Sequence, residues 1–181
     1  MTTSPFEWVA ERAQPRLLAG ITLLLVVLSI WLSMLGQALV THEAPRGIVS
    51  YELARDVDRA SAIIDSWSAD AREKAMLIQG LDYLYLLVYP AWFSLAAARL
   101  GARLGGAWRR PSSVVSWVVL MSAPLDAVEN HALIQQLVHG PSAVYAQLAW
   151  WCALPKFTLV AIAGAFLALA GSAWLARLRT S

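Results

Sequence analysis

The chain has 181 residues, of which 59% are hydrophobic and only 14% are charged, whereas soluble domains carry about 45–50% apolar and about 25% charged residues. This balance excludes an ordinary water-soluble domain, whose interior is too small for so many apolar side chains. The net charge of +2 comes from bases in short segments beside apolar stretches, which is typical of membrane topology signals and argues against a nucleic-acid partner. Cys152 is the single cysteine, so the chain has no internal disulfide.

Long apolar stretches predict four transmembrane helices, at about 17–40, 75–99, 113–138 and 144–176. Each is long enough to cross the hydrocarbon core, which takes about 20 residues in a helix. The first stretch is longer than the apolar part of a cleaved signal peptide, about 7–15 residues, so we expect it to be retained. The predicted fold class is therefore an all-α integral membrane protein, with residues 1–181 forming a single four-helix bundle.

The segment between the first two spans is charged, yet it carries one apolar helical face. Its apolar residues recur at spacings of three and four, at Leu53, Val57, Ala60, Ile64 and Trp67. This pattern predicts a short amphipathic helix over about 50–66, either packed on the ends of the spans or lying on the membrane surface. Asp70 and Glu73 have the spacing of a capping box, which predicts the start of the second span near them.

The positions of the basic residues predict the orientation of the chain. Bases lie before span one, between spans two and three, and after span four: Arg12, Arg16, Arg99, Arg103, Arg109, Arg110, Arg177 and Arg179. Because Lys and Arg concentrate in cytoplasmic loops, we expect both termini and this middle turn in the cytoplasm, in a bacterial inner (plasma) membrane. The amphipathic segment then lies outside.

Ionisable residues inside the spans are the candidate functional residues, because charges at membrane depth are expensive. Helical rise places Asp82 of span two, Glu129 of span three and Lys156 of span four at nearly one depth, in the outer half of the bilayer. Asp126 and Asn130 share one face of span three with Glu129. The sequence predicts that these side chains converge within the bundle.

Aromatic residues extend the predicted site along span two. Tyr85 and Tyr89 follow Asp82 on one helical face, and a phenol can donate a hydrogen bond to a carboxylate. We predict that they line the same ligand site. The alternative interpretation is that the tyrosines and Asn130 only join the helices through hydrogen bonds.

The charges of this cluster do not balance. Lys156 neutralises one of the three acids Asp82, Asp126 and Glu129, and three carboxylates in one layer repel each other. We therefore expect that at least one carboxyl is protonated, or that a positively charged ligand completes the site. A metal site is a weaker hypothesis, with Glu129 and His131 as its candidates, because their side chains diverge on a helix.

Three functions fit these residues. The first is a cavity that binds, or acts on, a lipid-like or amine-bearing small ligand at the carboxylates. The second is an accessory or assembly subunit of a larger membrane complex, or a homo-oligomer, that docks through the small residues of span four. The third is a proton- or cation-coupled transporter working as an oligomer. No motif in the sequence identifies a reaction or a cofactor, and membrane lipids are the partners that the composition itself implies.

Overall fold

The computed structural model of the protein describes residues 4–180 and is all-helical there. Four helical segments in this range are long and apolar enough to cross a membrane: Gln14–Leu39, Ala69–Leu104, Gly106–His139 and Ala143–Arg179. They pack as a bundle, with short helices between the first two, which confirms the predicted fold class. The second segment extends beyond the predicted span 75–99 at both ends, and the third begins seven residues before the predicted span 113–138. The hydropathy of the chain marks only the part that crosses hydrocarbon.

Residues 4–180 contain seven α-helices: α1 Gln14–Gly36, α2 Ile48–Glu52, α3 Val57–Ser66, α4 Ala69–Leu104, α5 Arg109–Val118, α6 Ser122–His139 and α7 Ala143–Thr180. The third span consists of α5 and α6, joined by the 3-10 turn Val119–Met121. Pro124 explains this break, because a proline ring clashes with the carbonyl four residues earlier, here that of Leu120. Pro155, by contrast, lies inside the continuous α7, as membrane helices tolerate when neighbours satisfy the freed carbonyl.

The start of α4 differs from the capping-box prediction. The helix begins at Ala69, and the Ser68 hydroxyl accepts a hydrogen bond from the Ala71 amide at 3.2 Å. Asp70 lies in the first turn and pairs with Lys74 at 2.7 Å. Serine is as good a cap as aspartate, and the cap lies two residues before the predicted one.

The chain divides into two compact units. The first, which we call the loop unit, comprises residues 26–87 and 123–156 and contains α2, α3 and α6. The second, which we call the basic unit, comprises the described residues of 1–25, 88–122 and 157–181 and contains α5.

In the loop unit, the segment predicted as one amphipathic helix forms the two short helices α2 and α3. Their apolar sides are buried: Tyr51 donates a hydrogen bond to the Leu133 carbonyl at 3.0 Å, and the Trp67 indole donates to the Leu39 carbonyl at 2.9 Å. The rings of Tyr51 and Trp67 meet edge to face at 5.4 Å between centroids. Of the two placements that the sequence left open, α2 and α3 therefore pack on the ends of the spans.

The basic unit is joined by small residues between α4 and α5. The Ser94 hydroxyl donates to the Ser116 carbonyl at 2.7 Å, and the Ser116 hydroxyl donates to the Ser94 carbonyl at 3.0 Å. About two turns further along α4, Gly101 lies so close to Ser112 that a Cβ atom at this glycine would overlap the serine side chain. These contacts fix the crossing of the two helices.

Candidate functional site

The buried face of α6 carries the polar residues that the sequence singled out. Asp126, Glu129 and Asn130 are only 2%, 0% and 1% exposed. Residues three and four apart lie on one side of a helix, so the three side chains enter the interior of the loop unit together.

Lys156 of α7 lies at the centre of this polar group. Its Nζ donates a hydrogen bond to Asp126 Oδ1 at 3.0 Å, and it lies 2.8 Å from Glu129 Oε2 and 3.8 Å from Glu52 Oε2. The lysine side chain is 7% exposed. One ammonium group therefore faces three carboxylates inside the protein, rather than extending to the membrane surface.

Glu52 is the site residue that the sequence analysis missed. It ends α2, and its side chain is 12% exposed. We had assigned its segment to an amphipathic surface by the spacing of its apolar residues. A signal was nevertheless present, because Glu52 is the single charged residue between Arg46 and Arg55, and an isolated acid in an apolar stretch is a candidate for burial with a partner.

Burial raises the pKa of the Glu52 carboxyl above its ordinary value of 4.5. The nearby charge of Lys156 opposes this effect, and the charge of Asp126 adds to it. Since Glu52 lies in the loop between spans, it is the member of the cluster nearest to the aqueous phase along the chain.

Asp82 joins the cluster through Asn130 rather than through the lysine. The Asn130 amide donates a hydrogen bond to Asp82 Oδ2 at 2.6 Å, and Asp82 is half-buried. The neighbouring Tyr83 hydroxyl donates to the Ala127 carbonyl at 3.3 Å. The predicted approach of Asp82 to the polar face of span three is thus present, although a ligand-binding role for these residues stays a prediction.

The two tyrosines of span two lie in different units. Tyr85 shares a hydrogen bond of 3.2 Å with Ser29 of α1, within the loop unit. Tyr89 is buried and belongs to the basic unit. Tyr85 follows Asp82 by about one helical turn, so it is the tyrosine that the fold of the loop unit keeps beside the cluster.

The site has more hydrogen-bond acceptors than donors. Glu129 Oε1, Asn130 Oδ1 and Gln79 Oε1 are fully buried, and residues 4–180 provide no hydrogen-bond donor to any of them. Lys156 brings three N–H groups and Asn130 two, against the carboxylates of four acids. A buried acceptor without a donor costs about 1–3 kcal/mol, so this group is chemically incomplete without further protons, water or a donor ligand.

An open cleft of about 430 Å³ lies in the loop unit. It is lined by the end of α1 and the residues that follow it, together with Arg46, Ile48 and Tyr85. Tyr85 lies about one helical turn after Asp82 and Ile48 about one turn before Glu52, whereas none of the four acids lines the cleft itself. Its walls are mostly apolar, and a cleft of this volume can hold a hydrocarbon chain.

The metal hypothesis finds no support in the arrangement. His131 is exposed and meets Tyr145 edge to face at 6.4 Å between ring centroids, whereas Glu129 is buried. Within the described part of the chain, no group of three or more His, Cys, Asp or Glu residues is placed to hold a metal ion. The divergence of Glu129 and His131 on α6 is the physical reason.

Comparisons with known proteins leave the site geometry as the basis for function. No family model, no curated protein and no solved structure matches the chain.

Proposed function

We propose that this four-span membrane protein binds a small amine-bearing, lipid-like ligand at the cluster formed by Glu52, Asp82, Asp126, Glu129 and Lys156. The observation that carries the proposal is the position of Lys156 Nζ, within 3.8 Å of three carboxylates. The protein's own ammonium, held by these carboxylates, supports an ammonium group as the polar end of the ligand. An amine-bearing ligand carries the same ammonium group as Lys156.

Charge supports the same ligand class. With Lys156 as the single cation among four acids, the cluster has a surplus of negative charge unless protons or a cation are added. A primary ammonium supplies one positive charge and three N–H donors. Charge-assisted hydrogen bonds of this kind are about twice as strong as neutral ones, and Glu129 Oε1 and Asn130 Oδ1 are acceptors that receive no hydrogen bond from the described residues 4–180.

The cleft beside α1 supports an amphiphile rather than a free amine. An alkyl chain lying along its apolar walls stays in a lipid-like environment, while the amine lies near Asp82, one turn from Tyr85. Small-ligand sites commonly combine mostly apolar walls with a few convergent polar groups. By the orientation proposed from the basic residues, a bacterial inner membrane would present this cleft to its outer leaflet.

Binding of alkylamines tests the proposal. Protein purified in a neutral detergent is titrated with dodecylamine, and with dodecanol as an uncharged ligand of equal chain length, by isothermal titration calorimetry. We expect the amine to bind at least about tenfold more tightly, since a charge-assisted hydrogen bond contributes about 1.5–3 kcal/mol. Equal affinity for the two ligands would refute an amine site.

Two variants locate the binding. Asp82→Asn and Glu129→Gln remove a charge with little change of shape, and each should lower the amine affinity by about tenfold. Asp58→Asn, at an exposed position of α3, is the matched control and should bind like the wild type. An equal loss in all three variants would indicate general electrostatic attraction instead.

Assembly into a larger complex is the second candidate function, and an exposed row on α7 favours it. Small residues three and four apart face outward there: Ala161, Ala165, Ala168 and Ser172. Such rows permit close approach of a second helix in a membrane. Chemical cross-linking in native membranes tests this: a partner contact through this row should disappear in Ala165→Leu and persist in Val144→Leu, at an exposed position near the other end of α7.

A further inference from the structure

A second cleft, of about 750 Å³, lies in the basic unit at the end of α4. Three arginines line it, Arg99 and Arg103 of α4 and Arg109 at the start of α5. Glu7 and Glu11 also line it. When all five groups are ionised, the cleft keeps one positive charge in excess. The remaining polar side chains of its wall are Ser4, Gln14, Ser112 and Ser113.

Neutral groups hold the arginines of this cleft in place. The Arg99 guanidinium donates a hydrogen bond to Gln14 Oε1 at 3.1 Å, and the Arg103 guanidinium lies over the Trp174 ring at 5.3 Å from its centroid. By contrast, Arg59 of the loop unit pairs with the Glu43 carboxylate at 2.6 Å. The guanidinium groups of the cleft are thus oriented without an acid bound to either Arg99 or Arg103 within residues 4–180.

The wall of the cleft is built on the close crossing of α4 and α5 at Gly101. Gly101 and Ser112 touch there, and the Ser112 hydroxyl donates to the Arg109 carbonyl at 2.9 Å. Since Gly101 lies between Arg99 and Arg103 in α4, this crossing fixes the relative positions of the three arginines. Groups that are held in place before binding lose less entropy when the ligand arrives.

We infer that this cleft binds the phosphate of an anionic phospholipid. Guanidinium groups bind phosphate oxygens through paired hydrogen bonds, and basic pockets between transmembrane helices are typical lipid headgroup sites. The single excess positive charge matches a phosphodiester, which carries one negative charge, better than a phosphate monoester. The cleft lies where two membrane-spanning segments end, so the bilayer itself is the source of the ligand.

Lipid binding by purified protein tests this inference. Delipidated protein in a neutral detergent is titrated with phosphatidylglycerol, with phosphatidylcholine of the same acyl chains, and with soluble glycerol 3-phosphate, and bound lipid is counted by native mass spectrometry. We expect phosphatidylglycerol to bind about tenfold or more tightly than either comparator. Equal binding of the two lipids would overturn the inference, and equal binding of glycerol 3-phosphate would overturn the assignment to lipid.

Arginine variants assign the binding to the cleft. The double variant Arg99→Gln/Arg103→Gln should lose about fivefold in phosphatidylglycerol affinity for each arginine. Arg110→Gln is the matched control, because Arg110 is exposed beside Arg109 and does not line the cleft. If the double variant fails to fold, Arg109→Gln replaces it, with a loss of about fivefold expected. A loss in Arg110→Gln equal to that in the cleft variants would show nonspecific attraction to the basic end and overturn the inference.

Discussion

The Lys156 ammonium lies 2.8 Å from Glu129 Oε2, and the side chains of the two residues are 7% and 0% exposed. Two further carboxylates, of Asp126 and Glu52, lie within 3.8 Å of the same nitrogen. Lys156 is therefore the counter-ion of these buried acids.

Replacing Lys156 by Met should destabilise the protein strongly. The change leaves buried carboxylates without a counter-ion, and breaking a buried pair from one side costs about 3–5 kcal/mol. Acidic buffer should recover part of the loss, because protonation removes the uncompensated charges. Thermal unfolding in detergent between pH 5 and pH 8 is the measurement. Lys74→Met is the control, since the exposed pair of Lys74 with Asp70 is worth only about 0.3–0.5 kcal/mol.

Glu52 predicts a pH dependence of a definite sign. Because burial raises the pKa of Glu52, the folded state holds the Glu52 proton at pH values where the unfolded chain has lost it. The resulting stability is fully present below pH 4.5 and disappears as the pH rises through the raised pKa. In acid, the free energy of unfolding of Glu52→Gln should therefore be about that of the wild type. At pH 8 the wild type has lost this stability, so the difference should shift in favour of Glu52→Gln.

Glu43 provides a control of opposite sign. Hydrogen bonds from His42 and then from Arg59 lower the pKa of this exposed carboxyl. The ionised Glu43 carboxyl therefore stabilises the folded state at neutral pH, and this stabilisation is lost in acid. Compared with the wild type, Glu43→Gln should be less stable near pH 7 and about equally stable in acid. The same trend with pH in Glu52→Gln and Glu43→Gln would contradict the burial of Glu52.

Part of this site could be predicted from the sequence, and part could not. The helical angles of α6 placed Asp126, Glu129 and Asn130 on one face, because a regular helix fixes such angles. The depth argument also predicted that Lys156 comes near them. Glu52 could not be predicted as a site residue, because the spacing of apolar residues does not indicate how a short connecting helix packs on the spans. That packing depends on contacts distant in sequence, such as the hydrogen bond between Tyr51 and Leu133.

The same limit applies to the ends and breaks of helices. The sequence predicts a cap at Asp70, whereas the hydrogen bond at the start of α4 is accepted by Ser68. Pro124 and Pro155 carry the same local signal, yet the chain changes to a 3-10 turn before the first and stays α-helical through the second. The local sequence predicts that a proline removes a backbone hydrogen bond of the helix. Whether the helix continues depends on how neighbouring groups satisfy the freed carbonyl.

The helix crossing at Gly101 predicts a strong effect of one methyl group. Gly101→Ala would place a Cβ atom against Ser112, and overpacking of this kind costs about 1–3 kcal/mol. Gly80→Ala, in the same helix but with open space at the Cβ position, should instead gain about 0.5–1 kcal/mol from the better helix propensity of alanine. Thermal unfolding of the two variants should show these opposite signs, and a similar stability for both would contradict the close crossing.

Reporter fusions test the proposed orientation. A reporter inserted at Gly105, between spans two and three, should be active only in the cytoplasm, and one inserted near Asp58 only outside. Fusions at residue 1 and at Ser181, which lie outside the described residues, should report the cytoplasm as well. A periplasmic signal at Gly105 would reverse the orientation and place the carboxylate cluster in the cytoplasmic half of the membrane.

The stability of Glu129→Gln and Asp82→Asn tests most directly whether the acids serve a ligand or only hold the helices together. If they serve a ligand, each amide keeps the shape and removes a costly charge, while Lys156 retains Asp126 and Glu52 as partners. The melting temperature of each purified variant should then equal or exceed that of the wild type, although dodecylamine affinity falls. If the acids are structural ion partners, both variants should lose about 3–5 kcal/mol, and a melting temperature lowered by that much in both would contradict the proposed function.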